Sequence, residues 1–165
     1  MKPLVFLFIA LFSLASFSQN EVEQVAQMLD DWHQAAAKAN DEAYFSKMTK
    51  DAIFIGTDPT ENWTKTEFKA FSKPYFDKGT AWEFIPFERN IYVENNLAWF
   101  DELLNSEHMG ICRGSGVLIK KDGKWFIKHY VLSLSVPNEK MSEIVPLKAQ
   151  FEKSFLEKNQ QKSNK

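Results

Sequence analysis

The pair Asp122-Gly123, set between the runs MGICRGSGVLIKK and KWFIKHYVLSLSV, restricts the folds open to this chain more than any other feature. A tight hairpin turn needs central residues that accept positive φ, and Asp-Gly between alternating apolar segments is a strong signal for one. Two further strand-like runs stand upstream, WEFIPFERNIYVE and LAWFDELLNS, with a turn at Asn95-Asn96 between them. Pro86 in the first of these suggests an edge position or a bulge. The stretch from Phe87 to Val136 therefore reads as an antiparallel meander carrying Asp101, Arg113 and His129 among large apolar side chains.

Ahead of the meander the period changes. Val22, Val25, Ala26, Leu29, Trp32 and Ala36 recur at helical spacing within Glu21 to Ala39. A short helix from Asp41 to Met48, capped by Asn40 or Asp41, leads into the strand AIFIG. After the turn TDPTEN, Thr64 or Thr66 can cap a helix through Phe68, Phe71 and Phe76, which Pro74 is expected to kink or split. Helices in front and strands behind define an α+β domain with helices covering one face of a curved sheet.

The ends of the chain have their own character. Lys2, the run LVFLFIALFSLASF and the small residues Ser16 and Ser18 have the layout of a secretory signal, so residues 1–18 are expected to be removed on export to the periplasm or the medium. Residues 20–139 then form one domain, and residues 140–165 a weak C-terminal helix with a disordered end at NQQKSNK. With a formal net charge of −2 and both signs interspersed, the chain lacks the basic stripe of a nucleic-acid binder. Once the signal is gone, no membrane attachment is expected. Its single cysteine, Cys112, permits no internal disulfide.

Four segments carry a family resemblance: WHQAAAKAN, IGTDPTENW, AWFDELL and RGSGVLIKKDGKWFIKHYVLSLSVPNE. Together they resemble the SnoaL-like branch of the nuclear transport factor 2-like superfamily, over residues 22 to 139. The resemblance implies a cone in which N-terminal helices pack on a strongly curved antiparallel sheet enclosing a cavity, commonly dimerising through the sheet. Its members include isomerases, cyclases and dehydratases alongside non-catalytic binding and assembly domains, so fold leaves function open.

Strand alternation supplies candidate site residues. Lys120 and Lys128 read as solvent-facing, which turns Arg113, Ser115 and His129 inward; the same grouping sets Trp99 with Asp101 in LAWFDELL. A three-residue turn at the hairpin would bring Ser115 opposite His129. Asp101, Arg113 and His129 then form one wall, with Asp101 or His129 able to move a proton and Arg113 to stabilise negative charge. Equally, Asp101 and Arg113 can simply satisfy each other, with His129 a structural core residue. His33 stands where the first helix can reach the same cavity, or at the edge of its apolar stripe. Asp58, Glu61 and Trp63 can line the cavity rim, or Asp58-Pro59 can merely start a turn.

No cofactor is called for: there is no phosphate loop or dinucleotide fingerprint. His33, His108 and His129 lack metal-ligand spacing, so no metal is expected. Fifteen Phe and five Trp in 165 residues suggest an aromatic-lined interior. Two functions fit. One is binding of a small, largely apolar molecule, with or without acid–base catalysis of the isomerase, cyclase or dehydratase kind. The other is a non-catalytic interaction module, a homodimer through an outer sheet face made of Phe100, Leu104, Tyr130, Leu132 and Leu134. A pocket of several hundred Å³ would favour the first, because ligand sites run about 300 to 1,000 Å³.

Overall fold

A computed structural model describes the backbone of residues 3–163 and the side chains of residues 20–160. The side chains of the expected export signal therefore lie outside the described residues. The elements run α1 (Pro3–Ala37), α2 (Asp41–Ser46), β1 (Met48–Ile55), β2 (Asn62–Thr64), α3 (Lys65–Asp77), β3 (Ile85–Glu94), β4 (Leu97–Ser106), β5 (Gly110–Lys121), β6 (Lys124–Leu134), a 3-10 turn (Asn138–Lys140) and α4 (Met141–Ser163). Among the described residues no helix is long and apolar enough to cross a membrane.

Local chemistry sets the helix starts. The Asn40 side chain accepts the Ala43 N–H at 3.0 Å and caps α2. Thr64 and Glu67 form a reciprocal capping box on α3, satisfying two of the backbone donors that a helix start leaves open. Pro74 neither splits nor ends α3, which continues unbroken to Asp77; so close to the C-terminus, its missing N–H costs only one late hydrogen bond.

The sheet has the order β2-β1-β6-β5-β4-β3. From β3 to β6 it is the expected antiparallel meander. One pairing departs from the all-antiparallel expectation: β1 lies parallel to β6, while β2 pairs antiparallel with β1. Parallel neighbours need a crossover rather than a hairpin, and the chain from β2 through β5 supplies it.

Two of the three turns of the meander are tighter than three residues. Glu94 pairs with Leu97 around Asn95 (φ 55°), and Lys121 with Lys124 around Asp122 (φ 50°) and Gly123 (φ 75°). The β5–β6 ladder then shifts between Val117 and Leu118: Leu118 pairs with Ile127 but Val117 with His129, leaving Lys128 as an extra residue. Such a bulge exchanges the faces of everything beyond it. Trp125 and Ile127 point to the core before it, Tyr130 and Leu132 after it.

Aromatic rings fill the space between helices and sheet. Trp32 from α1 stacks on Tyr44 from α2 at 4.8 Å and meets the edge of Tyr130 at 4.8 Å. Phe54 from β1 lies between Tyr130 and Phe68 of α3. Each large side chain buried this way contributes roughly 2–3 kcal/mol. Phe100, Leu104, Tyr130 and Leu132 belong to this interior; of the five residues expected on the outer face, only Leu134 is exposed.

Residues 135–165 form a separate compact unit, in which Phe151 and Phe155 of α4 stack at 6.2 Å. The helix reaches Ser163, further than the polar composition of NQQKSNK leads one to expect.

Because Gly123 holds a left-handed conformation, Gly123→Ala is expected to lower the stability of the domain by about 1 kcal/mol. Chemical denaturation of the two proteins checks this, and an unchanged midpoint would contradict the turn assignment.

Candidate functional site

Glu102 is the most deeply buried charge of the domain, with 1% of its surface exposed. It stands on β4 directly opposite Arg89 of β3 on one side and Gly114 of β5 on the other. Arg89 Nε donates to Glu102 Oε2 at 2.8 Å, and Nη2 stands at the same distance from that oxygen as an ion pair, off the hydrogen-bonding angle. His33 Nε2 lies 2.8 Å from Oε1, reaching in from α1. Tyr130 donates more weakly to Oε1 at 3.4 Å. Arg89 also ties α1 through Asp30 at 2.7 Å and the Ala26 carbonyl at 3.2 Å. Gly114 makes the cluster possible, because a Cβ there would collide with the Tyr130 hydroxyl and the Glu102 carboxylate.

Burial by itself would push the Glu102 carboxyl up. The His33 hydrogen bond, the charges of His33 and Arg89 and the Arg89 hydrogen bond outweigh it and hold the group below its usual value of 4.5. Burial drives the Tyr130 phenol well above 10.0, and the neighbouring Glu102 adds to this. The cluster is therefore a buried anion closely surrounded by donors. Tyr130, Phe54 and Phe68 stack between it and a ring-lined pocket.

That pocket has a volume of about 150 Å³. Phe54, Trp63, Phe68, Phe71, Trp82 and Phe84 supply most of its wall, with Met109, Leu132, Gly56, Thr57 and Glu61 completing it. Trp63 and Phe71 stack at 4.5 Å, Trp63 and Phe68 at 5.7 Å, and Phe68 and Trp82 at 5.7 Å, all within 29° of parallel. Larger hollows exist, such as one of about 550 Å³ between α1 and the β5–β6 hairpin, whose lining mixes Gln24, Gln27, Asp31, Lys47 and Lys124 with Met28, Trp125 and Phe126.

The sequence-derived candidates fall elsewhere. Asp101, Arg113, Ser115, Trp99 and His129 share one face, but it is the outer face of the sheet. Asp101 accepts from Asn90 Nδ2 at 3.1 Å and pairs across the ladder with Ser115; Trp99 and His129 both pair with Val117. The inversion has two physical causes. Lys120 belongs to the inner face, half-buried with its ammonium 2.7 Å from both oxygens of the buried Glu21, so it misreports which face meets water. The bulge at Lys128 then turns His129 outward. His33 does point inward, where it meets Glu102 rather than a cavity. At the rim, Trp63 and Glu61 line the pocket, whereas Asp58 initiates the turn by accepting the Thr60 N–H at 2.8 Å. Arg89 and Glu102 were missed, although counting back from the Asn95-Asn96 turn pairs them directly.

Among the described residues no three His, Cys, Asp or Glu side chains are placed to hold a metal ion. Cys112 is buried on the inner face, and burial pushes its thiol up.

The fold and the sequence agree on a family. The profile of the SnoaL-like domain matches residues 25–138, and the chain belongs to that family. Its fold is nuclear transport factor 2-like. A protein of that kind and of unknown function from Pseudomonas putida superimposes with a TM-score of 0.64 at 16% identity, covering 74% of this chain and 92% of the other. A candidate scytalone dehydratase from Novosphingobium aromaticivorans gives 0.64 at 13% identity, with 74% and 89% covered. A candidate dehydratase from Streptomyces avermitilis gives 0.62 at 14% identity, with 72% and 99% covered. No curated protein is similar enough to this chain to count as a match.

Two outcomes follow from the Glu102 cluster. Arg89→Met leaves a buried carboxylate short of its main cation and is expected to cost about 3–5 kcal/mol, much of which the double variant Arg89→Met/Glu102→Leu recovers. A folded-state pKa below 4.5 means that Glu102 stabilises the fold above that pH and loses this contribution as pH falls through the folded value. Stability measured against pH should therefore decline on the acid side in the native protein, and less steeply in Glu102→Gln.

Proposed function

We propose that this SnoaL-like domain is an exported binding protein that takes a small, ring-sized apolar group into the aromatic pocket at the edge of the sheet. The observation that carries this is the pocket itself: five near-parallel rings around about 150 Å³. That volume is below the usual range for drug-sized ligands but suits one ring, since an apolar cavity of about this size accepts benzene. Catalysis by acid and base has less support, because His33 and Glu102 are engaged with each other behind a layer of rings. Export rests on the signal-like first eighteen residues.

A second copy of the chain is the partner we propose, through the outer face of the sheet. Tyr92 and Trp99 stack there at 5.7 Å while 49% and 41% exposed, an aromatic pair of the kind enriched at interfaces.

Calorimetric titration with phenol and cyclohexanol tests the pocket. Binding that weakens about tenfold in Trp63→Ala is expected, as removal of a stacking wall implies; no heat with either compound would overturn the reading. For the partner, sedimentation equilibrium should find a dimer that Trp99→Lys dissociates, and a monomeric native protein would refute it.

A further inference from the structure

The ring pocket contains one charged side chain, Glu61, and among the described residues no cation pairs with it. Its place is fixed by the turn that joins β1 to β2. The Gly56 N–H donates to the Glu61 carbonyl and the Glu61 N–H to the Asp58 carbonyl, both at 2.9 Å. Glu61 Oε2 accepts the Asp58 N–H at 3.1 Å, which leaves Oε1 without a partner. Gly56 is the residue that permits this: any side chain there would strike the Glu61 carboxylate. A half-buried carboxylate with an unused oxygen thus borders a stack of rings whose π-faces also attract cations.

The surroundings carry the same sign. Trp82 is shared between the pocket and an adjoining groove of about 560 Å³ to which Glu83 and Glu107 contribute, with His108 the only basic side chain lining it. Two carboxylates against one histidine give that groove a negative balance, which draws in cations and disfavours anions.

We infer that the pocket selects a small aromatic amine, its ring held among Trp63, Phe71 and Trp82 and its ammonium group on the free oxygen of Glu61. The inference rests on the ring-binding function proposed above and adds the charge of the ligand to it. A neutral ring would satisfy the stack but leave Glu61 Oε1 to water; an amine of the same shape satisfies both.

The test compares 2-phenylethylamine with 2-phenylethanol, which differ only in the terminal group, by calorimetric titration of the full protein and of Glu61→Gln. Glutamine keeps a carbonyl oxygen for the Asp58 N–H and removes the charge. The native protein should bind the amine about tenfold more tightly than the alcohol, as a charge-assisted contact beside aromatic faces implies. In Glu61→Gln the two affinities should converge to within about twofold, with the alcohol unaffected. Raising the ionic strength should weaken the amine and leave the alcohol unchanged, a measurement that needs no variant. Equal affinities in the native protein, or a preference that survives in Glu61→Gln, would overturn the role of Glu61 while leaving ring binding intact. Failure of both compounds to bind would overturn ring binding and this inference together.

Discussion

The domain depends on a carboxylate that has no business being buried alone. Glu102 stands on the buried face of β4, next to the edge strand β3, and an ion there is tolerable only if its neighbours replace the water it has lost. Arg89 does so from the next strand, His33 from α1, and Tyr130 from across the gap left by Gly114. Arg89 then extends the same network to Asp30 and the Ala26 carbonyl, so one cluster fixes both the register of β3 on β4 and the seat of α1 on the sheet. Earlier along α1, near the midpoint of the helix, Glu21 repeats the device with Lys120 and Trp125. Two polar attachments bracket an apolar helix face and define where it lies more sharply than non-directional burial would.

This arrangement sets how the interior packs. Pinned at these two places, α1 brings Trp32 onto Tyr44 and Tyr130, and the rings of Phe54 and Phe68 continue the packing toward the sheet edge. Side chains fill the space between α1 and the sheet at this point, and the stack of rings ends at a small pocket beside Trp63, Phe71 and Trp82. The binding function proposed above accordingly lies at the rim, where the turn TDPTE supplies Glu61, the one carboxylate among the described residues that line the pocket.

Much of the fold was legible in the sequence, and the reasons are local. Asp122-Gly123 and Asn95-Asn96 announced two turns, Asn40 and Thr64 announced two helix starts, and the spacing from Val22 to Ala36 announced α1. The site was not legible, because it depends on which face of each strand is buried. In LAWFDELL both faces carry apolar residues and a carboxylate, so alternation separates Asp101 from Glu102 without saying which is inside. Lysine is a poor arbiter at a strand end, as Lys120 shows by bending to a buried partner. A bulge cannot be read from residue type at all, and the one at Lys128 was enough to turn His129 from core to surface. Counting pairs from the Asn95-Asn96 turn would have placed Arg89 beside Glu102, but not inside. The parallel pairing of β1 with β6 is a long-range choice that no short segment encodes.

The central claim is that Glu102 is a buried anion held by Arg89, His33 and Tyr130 rather than a neutral acid awaiting a substrate. The most direct test is a pH titration of the Glu102 side-chain carboxyl by carbon-13 NMR in the folded protein. The account predicts a midpoint below 4.5, because His33 and Arg89 outweigh desolvation. A midpoint above 4.5 would mean that desolvation wins and the carboxyl is held neutral, which would contradict the account and return Glu102 to consideration as a proton donor.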